Sequence, residues 1–317
     1  MFRYIKLVLV FVILCSMLLN TGCFNSKSSE IVKLEKRALK GLAQGDYMAK
    51  CELFDIAAMY YDGVEIQQDR KKAMELYNKL ADYDFAPAQA VLADFYLRGN
   101  GVEKDYTKAF ELLTKSAENN FTPAITNLAY FYENGLGIEK DDKKAFELLT
   151  KASEQDDPLA MANLSIYYVE GKIVKQDYKK ALELLTKSVK ENNEVGQRLL
   201  GYMYCKGEGV EKDYTKAFEL FSKSANNGDS FAKLMMAFMY ELGLGVEQDY
   251  KKAIELYKTL AYKNNSIAIY NLAYIYENGL GTEKNDEEAN YWYKKLGSED
   301  KKEKYKKFRE KSIEEIK

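Results

Sequence analysis

From about residue 46 to residue 297, apolar positions recur at spacings of three and four in short runs, and polar, glycine-bearing stretches separate the runs. In one stretch Ala88, Leu92, Ala93 and Tyr96 form a single apolar stripe, which predicts an amphipathic helix. Gly99 ends it, because a helix commonly stops on a residue with positive φ, which glycine adopts without strain. Asp105 is placed to cap the next helix, its carboxylate accepting orphan backbone N–H groups and complementing the helix dipole. Ala109, Leu112, Leu113 and Ala117 then make the apolar face of that second helix, and Val102 is placed to plug the groove between the two. The unit is helix A, loop, helix B.

The unit repeats every 36 residues, seven times, without insertion or deletion from Tyr60 onward. A tyrosine recurs at Tyr60, Tyr96, Tyr132, Tyr168, Tyr204, Tyr240 and Tyr276, and a glycine at Gly63, Gly99, Gly135, Gly171, Gly207, Gly243 and Gly279. An alanine recurs from Ala73 to Ala289, and the capping aspartate from Asp69 to Asp249 gives way only to Asn285. A lone hairpin cannot bury both of its stripes, so the copies must stack. Small residues such as Ala88 and Ala93 allow close approach of neighbouring helices.

The run Leu128-Ala129-Tyr130-Phe131-Tyr132, then Gly135-Leu136-Gly137-Ile138-Glu139-Lys140-Asp141, then Lys144-Ala145 resembles the Sel1-like repeat, a subclass of the tetratricopeptide-type solenoids. The resemblance covers residues 46–297 and implies an all-α solenoid, a right-handed superhelix of paired antiparallel helices with the A helices on the concave side. It also implies a role as adaptor or scaffold. Glu65 in the first copy and Ile173 in the fourth replace the second loop glycine, so those two loops are expected to differ.

The ends depart from the repeat. Residues 23–45 are expected to hold a polar tether (Asn25, Ser26, Lys27, Ser28, Ser29) and a cap helix through Ile31, Leu34, Ala38 and Leu42. Residues 298–317 read as a charged C-terminal cap helix with Tyr305, Phe308, Ile313 and Ile316 at helical spacings. Trp292, the only tryptophan, takes a leucine position of the last helix B and is expected in the core.

Residues 1–22 carry a basic head with Arg3 and Lys6, thirteen apolar or small residues from Leu7 to Leu19, and then Asn20-Thr21-Gly22 before Cys23, the architecture of a signal peptide. Thirteen residues reach roughly 20 Å as helix, short of the ~30 Å hydrocarbon core, which disfavours a spanning anchor. Leu19-Asn20-Thr21-Gly22-Cys23 resembles a lipoprotein lipobox, with Asn20 where leucine is usual. The resemblance implies lipidation of Cys23 and a chain held at a membrane of the cell envelope, on its periplasmic or surface side. An ordinary cleaved signal peptide with an incidental cysteine is the alternative. Cys15 leaves with the signal, and Cys51 and Cys205, about four repeats apart, are not expected to form a disulfide.

Composition narrows the chemistry. The net charge is −2, with 47 basic and 49 acidic residues well mixed, so no basic stripe offers a nucleic-acid footprint. There is no histidine, which excludes histidine-based triads and zinc motifs. Ser230-Phe231-Ala232-Lys233 fits the S-x-x-K of β-lactam-active enzymes and Ser224-Ala225-Asn226 resembles their second element, but no Lys-Thr-Gly exists. Ser298 to Lys301 fits the same pattern by chance, and Ser230 stands where a serine caps a helix. Loops such as Glu103-Lys104-Asp105 supply too few converging oxygens for calcium. No catalytic residue, metal or cofactor is expected.

The positions of helix A that vary between copies are the candidate binding site, because the fold does not dictate them. One column reads Ala58, Asp94, Tyr130, Ile166, Tyr202, Phe238, Tyr274, and the column three residues earlier reads Asp55, Val91, Asn127, Asn163, Leu199, Met235, Asn271. With helix A facing inward as the resemblance implies, Tyr130, Tyr202, Phe238, Tyr274, Asn127, Asn163 and Asn271 line a groove suited to a peptide or protein edge. The alternative is that the aromatics pack between adjacent repeats. The leading expectation is an exported, lipid-anchored scaffold that binds another protein and no nucleic acid. The resemblance leaves two others open: an immunity protein that neutralises a toxin delivered to the periplasm, and a β-lactam or peptidoglycan hydrolase.

Overall fold

A computed structural model of the chain describes residues 24–316. The signal segment and Cys23 lie outside the described residues. Sixteen helices and no strand are found among the described residues. Helix α1 spans Phe24–Ala43, so residues 25–29, expected to be a tether, belong to its first turns. Seven hairpins follow, α2–α3, α4–α5, α6–α7, α8–α9, α10–α11, α12–α13 and α14–α15. Their A helices are α2 (Tyr47–Asp62), α4 (Ala86–Arg98), α6 (Thr122–Asn134), α8 (Pro158–Glu170), α10 (Glu194–Lys206), α12 (Ser230–Leu242) and α14 (Ser266–Asn278). Their B helices are α3 (Arg70–Asp82), α5 (Tyr106–Glu118), α7 (Asp142–Glu154), α9 (Tyr178–Lys190), α11 (Tyr214–Asn226), α13 (Tyr250–Ala261) and α15 (Asp286–Lys294). Helix α16 (Glu299–Ile316) ends the chain.

The helices fall into two compact units, one up to Gln155 and one from Asp156. In each, helix B packs on helix A of its own hairpin and on helix A of the next, the stacking of an all-α solenoid. The alanine column from Ala73 to Ala289 is buried throughout and lets the helices close on each other.

Each recurring column has a local physical cause. The glycines from Gly63 to Gly279 all sit in the left-handed region, with φ between 63° and 73° at Gly63, Gly99, Gly135, Gly171, Gly207, Gly243 and Gly279. The N–H of Gly135 donates to the carbonyl of Phe131, closing helix A. Asp105 caps helix B by accepting from Lys108 N at 2.9 Å, and its own N–H donates to the Tyr96 carbonyl at 3.0 Å. The loop is thus pinned at both ends by one residue. The tyrosine ring at that corner carries a lysine over its face, Lys108 over Tyr96 at 4.4 Å and Lys252 over Tyr240 at 5.1 Å.

The two departing loops behave differently from one another. Glu65 keeps the left-handed backbone of the glycine it replaces, with φ 62°, whereas Ile173 is not among the residues with positive φ. The second loop glycine answers to its neighbour as well as to φ. A Cβ on Gly137 would stand 2.6 Å from the backbone of Tyr106 and one on Gly281 2.1 Å from Tyr250, while Gly101 has nothing within 4 Å. The turn from helix B to the next helix A also uses a left-handed residue, Asp84, Asn120, Asp156, Asn192 and Asn264 standing where Gly228 does in the fifth copy.

Trp292 is 1% exposed and its ring meets Tyr262 edge-on at 5.5 Å, as expected of a core residue. Cys51 and Cys205 are both free thiols. Burial raises the Cys205 pKa to about 12.

Candidate functional site

The seven predicted positions lie on A helices, but their surroundings differ. In the first unit, on α6, Tyr130 is 48% exposed and Asn127 half-buried. In the second unit Asn163 on α8 and Tyr202 on α10 are half-buried, and Lys206 Nζ lies 5.0 Å from the Tyr202 ring centre. Phe238 on α12 is only 1% exposed; its ring packs edge-on to Tyr257 of the same hairpin at 5.9 Å, and it belongs to a buried cluster that reaches α14. Asn271, at 0% exposure, and Tyr274, both on α14, lie beneath another part of the chain.

That part is α16. It does not extend the stack as an end cap would; it packs on α14 and α10, both A helices. Lys302, Tyr305, Arg309 and Ser312 are spaced three and four residues apart, so they form one stripe along the helix. Lys302 Nζ sits 4.2 Å from the Tyr293 ring centre, and Tyr305 packs on the core of the last two repeats. Beyond Arg309 a cavity of about 240 Å³ is lined by Tyr202, Phe231, Leu234, Met235, Phe238, Phe308, Lys311 and Ser312.

Arg309 is the anchor. Its guanidinium forms an ion pair with Glu241 of α12, Nη2 donating to Oε1 and Nη1 to Oε2 at 3.2 Å. Nη1 also donates to Asn271 Oδ1 at 3.1 Å, and the guanidinium lies over the Tyr274 ring at 4.2 Å. The Tyr257 hydroxyl donates to Glu241 Oε2 at 2.9 Å. Arg309 and Glu241 are both buried, with side chains only 7% and 2% exposed. Burial works against the arginine charge, yet the hydrogen bonds and charge of Glu241 leave its pKa above the ordinary value. Burial and then the Glu241 charge push the Tyr257 phenol well up. Asn271 Nδ2 is buried with no hydrogen-bond partner.

Sequence reasoning missed Glu241, Tyr257 and Arg309. A partial signal was present in the columns: Glu241 stands where the two preceding copies carry Val169 and Cys205 but the third carries Glu133, and Tyr257 where they carry Leu185 and Phe221 but the first carries Tyr77. A buried acid and a buried phenol need partners, because a buried polar group without one costs free energy. The seventh copy repeats the pair, the Tyr293 hydroxyl donating to Glu277 at 2.8 Å, but there the carboxylate is exposed.

The S-x-x-K residues lie at the start of α12. Asp229, not Ser230, caps that helix, accepting from Phe231 N at 2.7 Å and Ala232 N at 3.1 Å, and Ser230 is exposed. Among the described residues no group of three or more His, Cys, Asp or Glu side chains could hold a metal ion, and no helix is long and apolar enough to cross a membrane.

Fold and site together define a repeat solenoid of α-hairpins. The Sel1 repeat matches residues 53–82, 86–121, 122–157, 158–193, 195–229, 230–265 and 266–300, and the chain belongs to that family. A crystal structure of a protective antigen present in uropathogenic Escherichia coli strains, displaying an SLR fold, is similar at 32% identity and TM-score 0.59, over 84% of this chain and 55% of that one. This chain thus spans about half the length of that antigen. The Sel1 repeat protein from Oxalobacter formigenes is similar at 28% identity and TM-score 0.59, over 83% of this chain and 96% of that one. Immunity protein Pa5087 from Pseudomonas aeruginosa shares the fold at 21% identity and TM-score 0.50, over 66% of this chain and 80% of that one. No curated protein matches this chain.

Proposed function

We infer that the chain is a scaffold that binds another protein through its A-helix face, and that it is not an enzyme. The observation that carries this reading is that the A-helix face of the second unit already holds a helix, α16, through a buried ion pair and aromatic contacts. A face that binds one helix has the chemistry to bind another. Tyr130, largely exposed on α6, is the best-placed anchor for a partner in the first unit. Affinity capture from native membranes tests this. Tyr130→Ala should weaken capture of the main partner about tenfold with the helical circular dichroism unchanged, the equivalent of ~1.4 kcal/mol. Capture unaffected by any A-helix substitution would overturn the reading.

The likeness to the immunity protein is one of fold alone, so inhibition of a toxin is the second reading; a captured partner that is a toxin domain would select it. Turnover of nitrocefin by the chain, lost in Ser230→Ala, would show it to be a hydrolase instead.

Export and anchoring at the cell envelope rest on residues 1–23: the basic head, the thirteen-residue apolar run and the Thr21-Gly22-Cys23 junction. Cells fed a clickable palmitate analogue should label the chain and not its Cys23→Ala variant. Absent or equal label in the two would remove the lipid anchor from the proposal.

A further inference from the structure

The geometry points to α16 as a built-in occupant of the A-helix face of repeats five to seven, which a partner helix displaces by presenting an arginine to Glu241 beside an aromatic side chain. This rests on the reading of that face as the partner-binding surface.

Three observations carry it. First, the receptor is polar and buried. Glu241, Tyr257 and Asn271 are buried in one cluster around Arg309: Glu241 pairs with its guanidinium, Asn271 Oδ1 accepts from it, and the Tyr257 hydroxyl donates to Glu241. A buried carboxylate stripped of its cation is costly, so whatever replaces α16 must bring a cation of its own, and the planar guanidinium fits the two carboxylate oxygens. Second, α16 holds its place weakly elsewhere. It is a charged helix whose Phe308 remains 39% exposed and whose Tyr305 is only half-buried, and Gly297, in the left-handed region at φ 89° with open space around it, joins it to the last hairpin. Third, the fit is incomplete. Asn271 Nδ2 is a buried donor that α16 does not satisfy, and a cavity of about 240 Å³ remains beside Phe308. A partner that supplies an acceptor to Asn271 and a larger apolar side chain to the cavity outcompetes α16.

The test uses the full chain and a fluorescent peptide of residues 299–316. The Arg309→Ala chain, its α16 loosened, should bind the peptide at least tenfold more tightly than the wild-type chain. A peptide that itself carries the Arg309→Ala change should bind that chain at least tenfold more weakly. Hydrogen exchange should accelerate across 299–316 in the Arg309→Ala chain while α12 and α14 keep their protection. Should Arg309→Ala fail to fold, Tyr305→Ala, outside the ion pair, loosens the same helix and is held to the same outcomes. Equal peptide binding by both chains, no binding by either, or unchanged exchange across 299–316 would overturn the proposal. Dimers that appear in Arg309→Ala and grow with concentration would overturn a partner helix as the occupant in favour of a second copy of this chain. The peptide assay needs no partner, so its failure and the failure of capture on the A-helix face are distinguishable.

Discussion

The two ends of the described chain are each a single helix against a repeat, and they are held in opposite ways. Helix α1 packs on the first hairpin through an apolar stripe of Ile31, Ala38 and Leu42, all 5% exposed or less, and they join the same core as Leu53 and Leu76. Its one buried acid, Glu35, is satisfied locally, accepting from the Tyr60 hydroxyl at 3.0 Å and pairing with Lys72 at 2.8 Å. Helix α16 has no comparable stripe; its most buried side chain is Arg309, and it lies on A helices rather than closing the stack. An end held by apolar area is part of the fold, since burial is favourable wherever it occurs. An end held chiefly by a buried ion pair is conditional, because desolvation offsets much of the attraction and another cation can serve as well.

Leu42→Ala should therefore be the most damaging change at either end, lowering stability to chemical denaturation by about 2–5 kcal/mol, the range for deleting a buried leucine side chain. Tyr305→Ala, at the other end, should cost under about 1 kcal/mol globally while freeing α16. Equal costs would erase the distinction. Phe238→Ala belongs with Leu42→Ala in kind, at about 3–5 kcal/mol, because its ring is only 1% exposed.

The loops sharpen the same contrast between what a residue does alone and what its neighbour demands. Gly137→Ala should lose about 2 kcal/mol or more, since the left-handed backbone is strained for alanine and the new Cβ meets the Tyr106 backbone. Gly101→Ala meets open space and should lose about 1 kcal/mol. Identical melting shifts would mean that the approach of adjacent repeats is not what holds this column.

At the first hairpin, burial and the hydrogen bond to Glu35 raise the Tyr60 pKa to about 12. The folded state thus keeps a proton that the unfolded state gives up at the ordinary tyrosine value of about 10. This contribution is whole below pH ~10 and is lost as the pH rises to about 12. Denaturation midpoints should fall across that window in the wild-type chain and fall less in Tyr60→Phe. The smallest effect concerns the thiols. At pH 8 Cys51, half-buried, should react with a thiol reagent before Cys205, which is fully buried and should react only on unfolding.

The sequence by itself determined the unit, its length, its caps and its loops, because each depends on residues no more than a few positions apart: Gly135 closes its own helix, Asp105 caps the next, and Ala109 faces its partner at a fixed register. Close packing of the copies follows from the same stripes repeated. The tertiary structure alone decided which varied positions stay accessible. Tyr130 and Phe238 occupy equivalent places in the repeat, yet one is exposed and the other is core. Likewise the Glu277–Tyr293 pair keeps an exposed carboxylate while its counterpart, Glu241–Tyr257, is buried under Arg309, 68 residues along the chain from the glutamate it neutralises. Helical periodicity says which face a side chain occupies on its own helix. What covers that face is settled by how a distant helix docks, and no local spacing encodes that.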